Sequence, residues 1–210
     1  MVEIPETLPQ RMFLLAYDTR RQRLALRGAR LGLVLRAAAL TELYLDGRLG
    51  EERGKPVVGT DGPDPYGLIA QIGASRPRPW QHWVRKDARK MVRTVRDELD
   101  EGGWIRLRPR RVLLFFPATG IEVRDTRVVK ALARGASSAL QGRPVAHVNS
   151  LDAAAVALAA AGEVRTVVPR SETRRRRARI AELTARSGPA APGLRKAVRQ
   201  QRASAASASG

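Results

Sequence analysis

Residues 31–45, LGLVLRAAALTELYL, place the strongest constraint on the fold, because they carry a leucine- and alanine-rich helical pattern with one arginine, Arg36, set into it. The pattern predicts a helix over these residues that stops at Asp46 and Gly47, where glycine tolerates left-handed backbone. Hydrophobic residues make up 43% of the chain but aromatic residues only 4%, so the core is built from leucine, valine and alanine. This balance favours helices.

Helical and turn patterns cover most of the remaining chain. Further helices are predicted at 12–18, 64–72, 80–101, 125–140, 150–161 and 172–185, and a short strand at Val57–Val58. WIRL and VLLFF indicate two short strands around the basic turn RPRR, a β-hairpin at about 104–116. We therefore predict a mainly α fold, a single compact helical domain over 1–202 with this short hairpin. The low-complexity residues 203–210, ASAASASG, are predicted to form a disordered tail.

Charge is the strongest compositional signal. The chain has 39 Lys and Arg against 20 Asp and Glu, a formal net charge of +19 and a pI of about 11.6. Such a balance predicts attraction to polyanions, either nucleic acid or an anionic membrane surface. Arg174–Arg177 contributes part of the excess, and the sequence leaves open whether this run adds membrane affinity or solubility.

Enzyme signatures are missing from the sequence. There is no cysteine, which excludes disulfides, thiolate nucleophiles and cysteine-ligated metals. The two histidines, His82 and His147, share no metal-ligand spacing with carboxylates and stand in no catalytic motif. We predict no catalytic residues, no metal and no cofactor, so an enzyme ranks last among the functions considered. The N-terminal residues do not resemble a secretory signal and no apolar run spans a bilayer, which predicts a cytoplasmic protein.

Four cations share one face of the helix predicted at 80–101. They are spaced three, four and three residues apart, within an arc of about 80° on a helical wheel: Lys86, Arg89, Arg93 and Arg96. The apolar residues of this helix gather on a different face, which would pack into the core. Because like charges at these spacings repel, a polyanion would stabilise the cationic face. The alternative is a solvated face partly neutralised by Asp87, Asp97 and Asp100.

Arg36 lies on the apolar side of its predicted helix, between Leu33 and Leu40 on the wheel. An unpaired guanidinium at the edge of a core carries a desolvation penalty of several kcal/mol. It must therefore reach solvent, pair with a carboxylate such as Glu42 or Asp97, or face a pocket that receives an anion. The sequence alone leaves the salt bridge and the anion pocket open.

Three segments together resemble a known family. LRAAALTELYLDGRL is followed by WVRKDARKMVRTVRDELDEGGWIRL and then by VLLFF. This order is similar to that of the Golgi phosphoprotein 3 family of phosphoinositide-binding peripheral membrane proteins, specifically its bacterial branch. The resemblance is clear from about Leu8 to Leu140 and looser over the later helices.

The resemblance implies both a fold and a binding site. Family members are mainly helical, with a β-hairpin involved in self-association and membrane contact, and they bind phosphatidylinositol 4-phosphate through arginines from two helices. The matching arginines here are Arg36, Arg93 and Arg96, which the wheels also single out. Arg27 occupies the position of a family tryptophan and could add charge instead, as could Arg89. Three gathered arginines could surround a phosphate with charge-assisted donors.

The hairpin adds a predicted membrane contact. Its cations could lie toward lipid headgroups and its aromatic residues near the acyl boundary, which singles out Trp104, Arg108, Arg110 and Arg111. The alternative is a hairpin that packs on the body or on another subunit, giving a homo-oligomer. The leading hypothesis is thus a peripheral protein at the inner face of the membrane, whose partner is an anionic phospholipid.

A nucleic-acid-binding protein of winged-helix type ranks second. Its cationic helix and basic hairpin turn would match the positive charge of the chain. However, a long loop and a short helix separate Arg48 from the helix at 80–101, whereas a helix-turn-helix has a short turn between its two helices. The cationic face also lacks the interleaved Asn, Gln or Ser that would read base edges.

Overall fold

The computed structural model describes residues 2–26, 28–112, 116–142 and 144–207, with side chains except at 109–112 and 116–119. The structure is mainly helical, and its strands form short two-stranded hairpins, which confirms the predicted single compact helical domain. The helices are α1 (Leu8–Leu15), α2 (Gly28–Leu45), α3 (Leu68–Gly73), α4 (Trp80–Arg85), α5 (Ala88–Glu101), α6 (Thr126–Gln141), α7 (Ser150–Gly162), α8 (Arg170–Arg175), α9 (Arg177–Arg186) and α10 (Ala190–Ser207). The antiparallel strand pairs are β1 (Tyr17–Asp18) with β2 (Arg23–Leu24), β3 (Leu49–Glu52) with β4 (Lys55–Val58), and β5 (Ile105–Val112) with β6 (Phe116–Val123).

Helix α2 forms the centre of the fold. It packs against α1, α4, α5, α7 and α10, because apolar residues cover nearly its whole circumference. Gly32 allows α5 to approach α2 closely, since a Cβ at this position would overlap the backbone carbonyl of Ala88 at the start of α5. The end of α2 agrees with the sequence prediction, and Gly47 takes the expected left-handed conformation at φ 73°.

The single helix predicted at 80–101 is wrong, because the chain breaks into α4 and α5. Lys86 is extended and Asp87 is left-handed at φ 54°, so the backbone leaves helical geometry at both residues. Tertiary packing explains the break between the two helices, because Trp83 is buried in the core while Ala88 packs separately against Gly32. Lys86 therefore leaves the predicted cationic face, and its Nζ lies 5.1 Å from the centre of the Trp83 ring.

The hairpin of β5 and β6 is longer than the predicted span of 104–116. Its register pairs Ile105 with Val123 and Val112 with Phe116. The RPRR segment lies within β5 rather than in the turn, and part of VLLFF falls at 113–115, outside the described residues. The longer pairing follows from the buried Ile105 and Val123, which fix the base of the hairpin on the core.

Helix α3 begins later than predicted. The carboxylate of Asp64 accepts hydrogen bonds from the backbone N–H groups of Leu68, Ile69 and Ala70 at 2.7, 2.8 and 3.2 Å. Asp64 therefore caps this helix from the preceding loop, and the left-handed Gly67 stands directly before the first turn. The Asp64 carboxylate therefore stabilises the first turn of α3, although Asp64 itself lies outside the helix.

The arginine run Arg174–Arg177 lies at a break between α8 and α9, where the sequence predicted one helix. Arg176 leaves the helical region at φ −111° and ψ 29°, and it donates a hydrogen bond to the carbonyl of Leu140 at 3.4 Å. Arg179 donates two to the carbonyl of Ala139, at 2.9 and 3.0 Å. Both arginines satisfy carbonyls at the end of α6, so part of this basic region has a structural role.

Helix α10 continues to Ser207, so the predicted disordered tail is wrong for residues 203–207. Alanine is the strongest helix former, and once a helix is established each added residue gains a backbone hydrogen bond, so an Ala/Ser segment extends it. Residues 208–210 lie outside the described part of the chain. Among the described residues, no helix combines the length and apolar character needed to cross a bilayer.

Glu42 on α2 gives a prediction about pH. Its Oε1 accepts the N–H of Leu8 at 2.8 Å, and burial raises the pKa of this carboxyl. Because the folded state then holds its proton more tightly than the unfolded state, this group makes stability fall as pH rises through the interval between the two pKa values. Glu42→Gln keeps an oxygen acceptor and removes the buried charge, so we expect the free energy of unfolding at pH 7 to rise by up to about 1 kcal/mol.

Urea unfolding between pH 4 and pH 8 checks this prediction, with the exposed Glu101→Gln as the control. The gain of Glu42→Gln over the native chain should shrink as pH is lowered toward 4, while the control stays close to the native chain throughout. A loss of stability in Glu42→Gln at pH 7 would contradict it.

Candidate anion-binding site

A cavity of about 430 Å³ lies between the first turns of α2 and α5, the end of α4 and the last turns of α10. Its polar lining comes from six side chains: Arg85, Asp87, Arg89, Gln200, Gln201 and Ser204. The apolar part of the lining comes from α2, α5 and α10. The cavity thus combines two cations, one carboxylate and several neutral hydrogen-bonding groups.

The break between α4 and α5 positions the two cavity arginines. Arg85 is the last residue of α4 and Arg89 lies in the first turn of α5, on either side of the left-handed Asp87. Arg85 donates from Nη1 to Oε1 of Gln200 at 2.8 Å, and Gln81 donates to the same oxygen at 2.8 Å. Arg89 is exposed and forms no hydrogen bond or ion pair with any described residue. One guanidinium is therefore held toward α10 and the other is free.

The electrostatics of this cavity favour an anion. Asp87 makes no side-chain cap to α5, so the first N–H groups of this 14-residue helix lack a capping side chain. On the α10 side, Gln201 accepts a hydrogen bond from Arg30 at 3.1 Å, and Arg30 also bonds Glu163 at 3.1 Å. These contacts fix the wall that α10 contributes while leaving the positive charge of Arg89 without a partner.

Arg36 is buried, with 3% of its surface exposed. Its Nε donates to the backbone carbonyl of Trp83 at 3.2 Å and its Nη2 to Oε1 of Gln71 at 2.8 Å. The salt bridge to Glu42 or Asp97 that the sequence left open is wrong, because these carboxylates bond Leu8 and Arg96 instead. Among the described residues, Arg36 belongs to no ion pair within 4.0 Å.

Burial is the main influence on the charge of Arg36 and lowers its pKa. The negative charges of Asp87 and Asp64 act in the opposite direction from a greater distance. The direct partners of the guanidinium are therefore a carbonyl and an amide, which are neutral. Because Trp83 stands two residues before Arg85, the bond to its carbonyl also fixes the end of α4 that carries a cavity arginine.

Arg93 and Arg96 follow Arg89 along α5, at one-turn intervals. Arg93 is exposed and has no hydrogen bond or ion pair among the described residues, whereas Arg96 donates to Oδ1 of Asp97 at 2.6 and 2.8 Å. Neither shares a hydrogen-bond partner with Arg36, whose bonds go to α3 and α4. The cations of α5 thus form a row that starts at the cavity.

The other predicted site residues lie apart from the cavity or outside the described part. Arg27 falls outside the described residues, and the side chains of Arg110 and Arg111 do so as well. Trp104 is half-buried and packs against the core at the base of the hairpin. Arg108 is exposed and pairs with Glu122, whose pKa it lowers.

Sequence reasoning missed Arg85 and the three α10 side chains. A wheel drawn through residues 80–101 as one helix gives Arg85 the wrong direction, because the helix breaks after it. Gln200, Gln201 and Ser204 carry no local signal, since they come from a helix more than 100 residues further along the chain. Within the described ranges, no cluster of three or more His, Cys, Asp or Glu could hold a metal ion.

The fold and the cavity together describe a helical protein with a short hairpin and an arginine-lined site between its helices. The family model for Golgi phosphoprotein 3 (GPP34) matches residues 8–201, so the chain belongs to this family, as its sequence motifs predicted. The search of curated proteins returned no match.

Proposed function

We propose that this protein is a peripheral membrane protein that binds an anionic phospholipid headgroup, phosphatidylinositol 4-phosphate or a related phosphoinositide. One observation carries the proposal: Arg85 and Arg89 line one cavity at the uncapped start of α5, in a chain of the Golgi phosphoprotein 3 family. A phosphate there would receive charge-assisted hydrogen bonds from guanidinium groups and from backbone N–H groups. The protein then acts by binding rather than by catalysis.

The predicted arginines divide this task between them. Arg36 acts from the core beneath the site. Its buried charge lacks a direct carboxylate partner, and its hydrogen bond to the Trp83 carbonyl positions Arg85. Arg93 and Arg96 extend the positive row along α5, where they meet the surface that surrounds a bound headgroup. A cationic row on one helix face is also what anionic lipids attract.

The hairpin supplies the second contact of this proposal. Arg108, Arg110 and Arg111 belong to β5, and in this proposal the strand approaches lipid headgroups at the inner face of the membrane. Trp104 supports the base of the hairpin through its contact with the core. The same hairpin is the proposed surface for self-association.

Vesicle flotation tests the proposal. The full chain is mixed with phosphatidylcholine vesicles that contain phosphatidylinositol 4-phosphate, phosphatidylinositol, phosphatidylserine or phosphatidic acid at equal total negative charge. We expect several-fold more protein to float with the phosphoinositide vesicles, because a cavity recognises a headgroup while a charged surface does not discriminate between them.

A gel shift with duplex DNA at matched salt examines the competing function. Equal flotation with all anionic vesicles, together with DNA binding that weakens steeply with salt, would contradict the headgroup site and favour a nucleic-acid-binding protein.

A further inference from the structure

A second groove lies on α6, which packs mainly against α1 and α7 and takes no part in the arginine cavity. The groove has a volume of about 500 Å³. It is lined by Val2 and by five residues of α6: Arg127, Lys130, Ala133, Arg134 and Ser137. The headgroup cavity is built from α2, α4, α5 and α10, so the two sites are formed by different elements.

The α6 groove joins an apolar floor to a cationic rim. Val2 and Ala133 are partly buried and pack against the core. The three cations are exposed and follow one another at spacings of three and four residues, which places them on one face of the helix. An occupant of this groove therefore needs both negative charge and apolar side chains.

Two of the three cations have no counter-charge. The carboxylate of Asp125 bonds the Arg127 side chain at 2.8 to 3.0 Å, and this contact lowers the pKa of Asp125 and raises that of Arg127. Lys130 and Arg134, in contrast, form no hydrogen bond or ion pair with any described residue. Like charges four residues apart repel on a helix, so an anionic partner at this pair would stabilise α6.

We propose that this groove binds an extended, acidic segment of a partner protein, with carboxylates on Lys130 and Arg134 and apolar side chains on Val2 and Ala133. Successive side chains of an extended chain point to opposite sides, so alternating acidic and apolar residues serve the rim and the floor together. The lining from Arg127 to Ser137 spans about 15 Å of helix, which four or five extended residues cover. A flat membrane would meet the rim but leave the floor of the groove unfilled.

Fluorescence anisotropy with a dye-labelled peptide of nine alternating Glu and Val residues tests the groove, beside the same peptide with Gln for every Glu. We expect the full chain to bind the Glu peptide and not the Gln peptide. Lys130→Gln with Arg134→Gln should weaken binding at least fivefold, because it removes both unpaired cations. The matched control, Arg174→Gln with Arg177→Gln, removes the same charge from exposed positions on α8 and α9 and should change binding less than twofold.

Equal losses of peptide affinity in the two double variants would overturn the proposal, since binding would then follow net charge alone. An unchanged peptide affinity in Lys130→Gln with Arg134→Gln would also overturn it. A loss of vesicle flotation in that variant with peptide binding intact would also overturn it, by assigning α6 to the membrane. Arg85→Gln with Arg89→Gln should bind the peptide normally. The outcome of the peptide experiment is therefore independent of whether the proposed headgroup site exists.

Discussion

Replacing Arg36 with alanine should lower the free energy of unfolding by about 3 kcal/mol. The side chain is 3% exposed, so its removal leaves a cavity beside α3 and α4. It also leaves the Trp83 carbonyl and the Gln71 amide oxygen without the donors they now have. Each unsatisfied buried acceptor costs about 1 to 3 kcal/mol. Water molecules do not easily take the place of the five N–H donors of a buried guanidinium.

Arg36→Met separates packing from hydrogen bonding in this prediction. Methionine fills much of the same volume and carries no charge, so we expect about half the loss seen with alanine. Urea unfolding followed by circular dichroism measures both variants, with the exposed Arg93→Ala as a control expected to stay within about 0.5 kcal/mol of the native chain. A loss below 1 kcal/mol for Arg36→Ala would mean that its buried bonds contribute little to the fold.

This result bears on how binding data from Arg36 variants are interpreted. Because the residue supports α4, a variant that loses vesicle binding could do so through a displaced Arg85 rather than through a missing phosphate contact. Stability and binding must therefore be measured on the same preparations. Exposed cavity arginines give a cleaner test of the headgroup site.

Arg85→Gln with Arg89→Gln should reduce the affinity for phosphatidylinositol 4-phosphate vesicles at least tenfold. Each charge-assisted hydrogen bond to a phosphate is worth about 1.5 to 3 kcal/mol, and every 1.4 kcal/mol is tenfold in affinity. Both side chains are exposed, so the fold should be retained. Vesicle flotation and titration with the water-soluble headgroup, glycerophosphoinositol 4-phosphate, measure the effect.

Two further double variants control this prediction. Arg93→Gln with Arg96→Gln should weaken vesicle binding but leave the affinity for the soluble headgroup within about twofold, because we propose that these residues meet the membrane surface. Arg174→Gln with Arg177→Gln reports the effect of net charge alone. If the Arg93 and Arg96 variant loses the soluble headgroup while the Arg85 and Arg89 variant keeps it, the phosphate sits further along α5 than we propose.

The sequence predicted those elements that local patterns determine. The end of α2 follows from its apolar run and from Gly47, and α6 and α7 appear at nearly the predicted residues. The break at Asp87 escaped prediction because residues 80–101 form an acceptable helix locally, and only the docking of Ala88 on Gly32 and the burial of Trp83 divide it. Tertiary packing overrides local propensity at such positions.

The candidate site was predictable to a similar degree. The helical wheel identified Arg36 as a cation on the apolar side of a helix, and the structure buries it. Its partners were not predictable, since Gln71 and Trp83 lie 35 and 47 residues away in the chain and one contributes a backbone carbonyl. Arg85 was missed for the same reason as the helix break, because its direction depends on where α4 ends.

Gly32 controls the spacing of α2 and α5 because it has no side chain. Its hydrogen atom sets how near the start of α5 comes to α2, and Ala29, Leu33, Ala88 and Arg89 around this crossing line the arginine cavity. Any side chain at position 32 would push the two helices apart and change the shape of the cavity between them. The width of the cavity therefore depends on a residue that carries neither a charge nor a side chain.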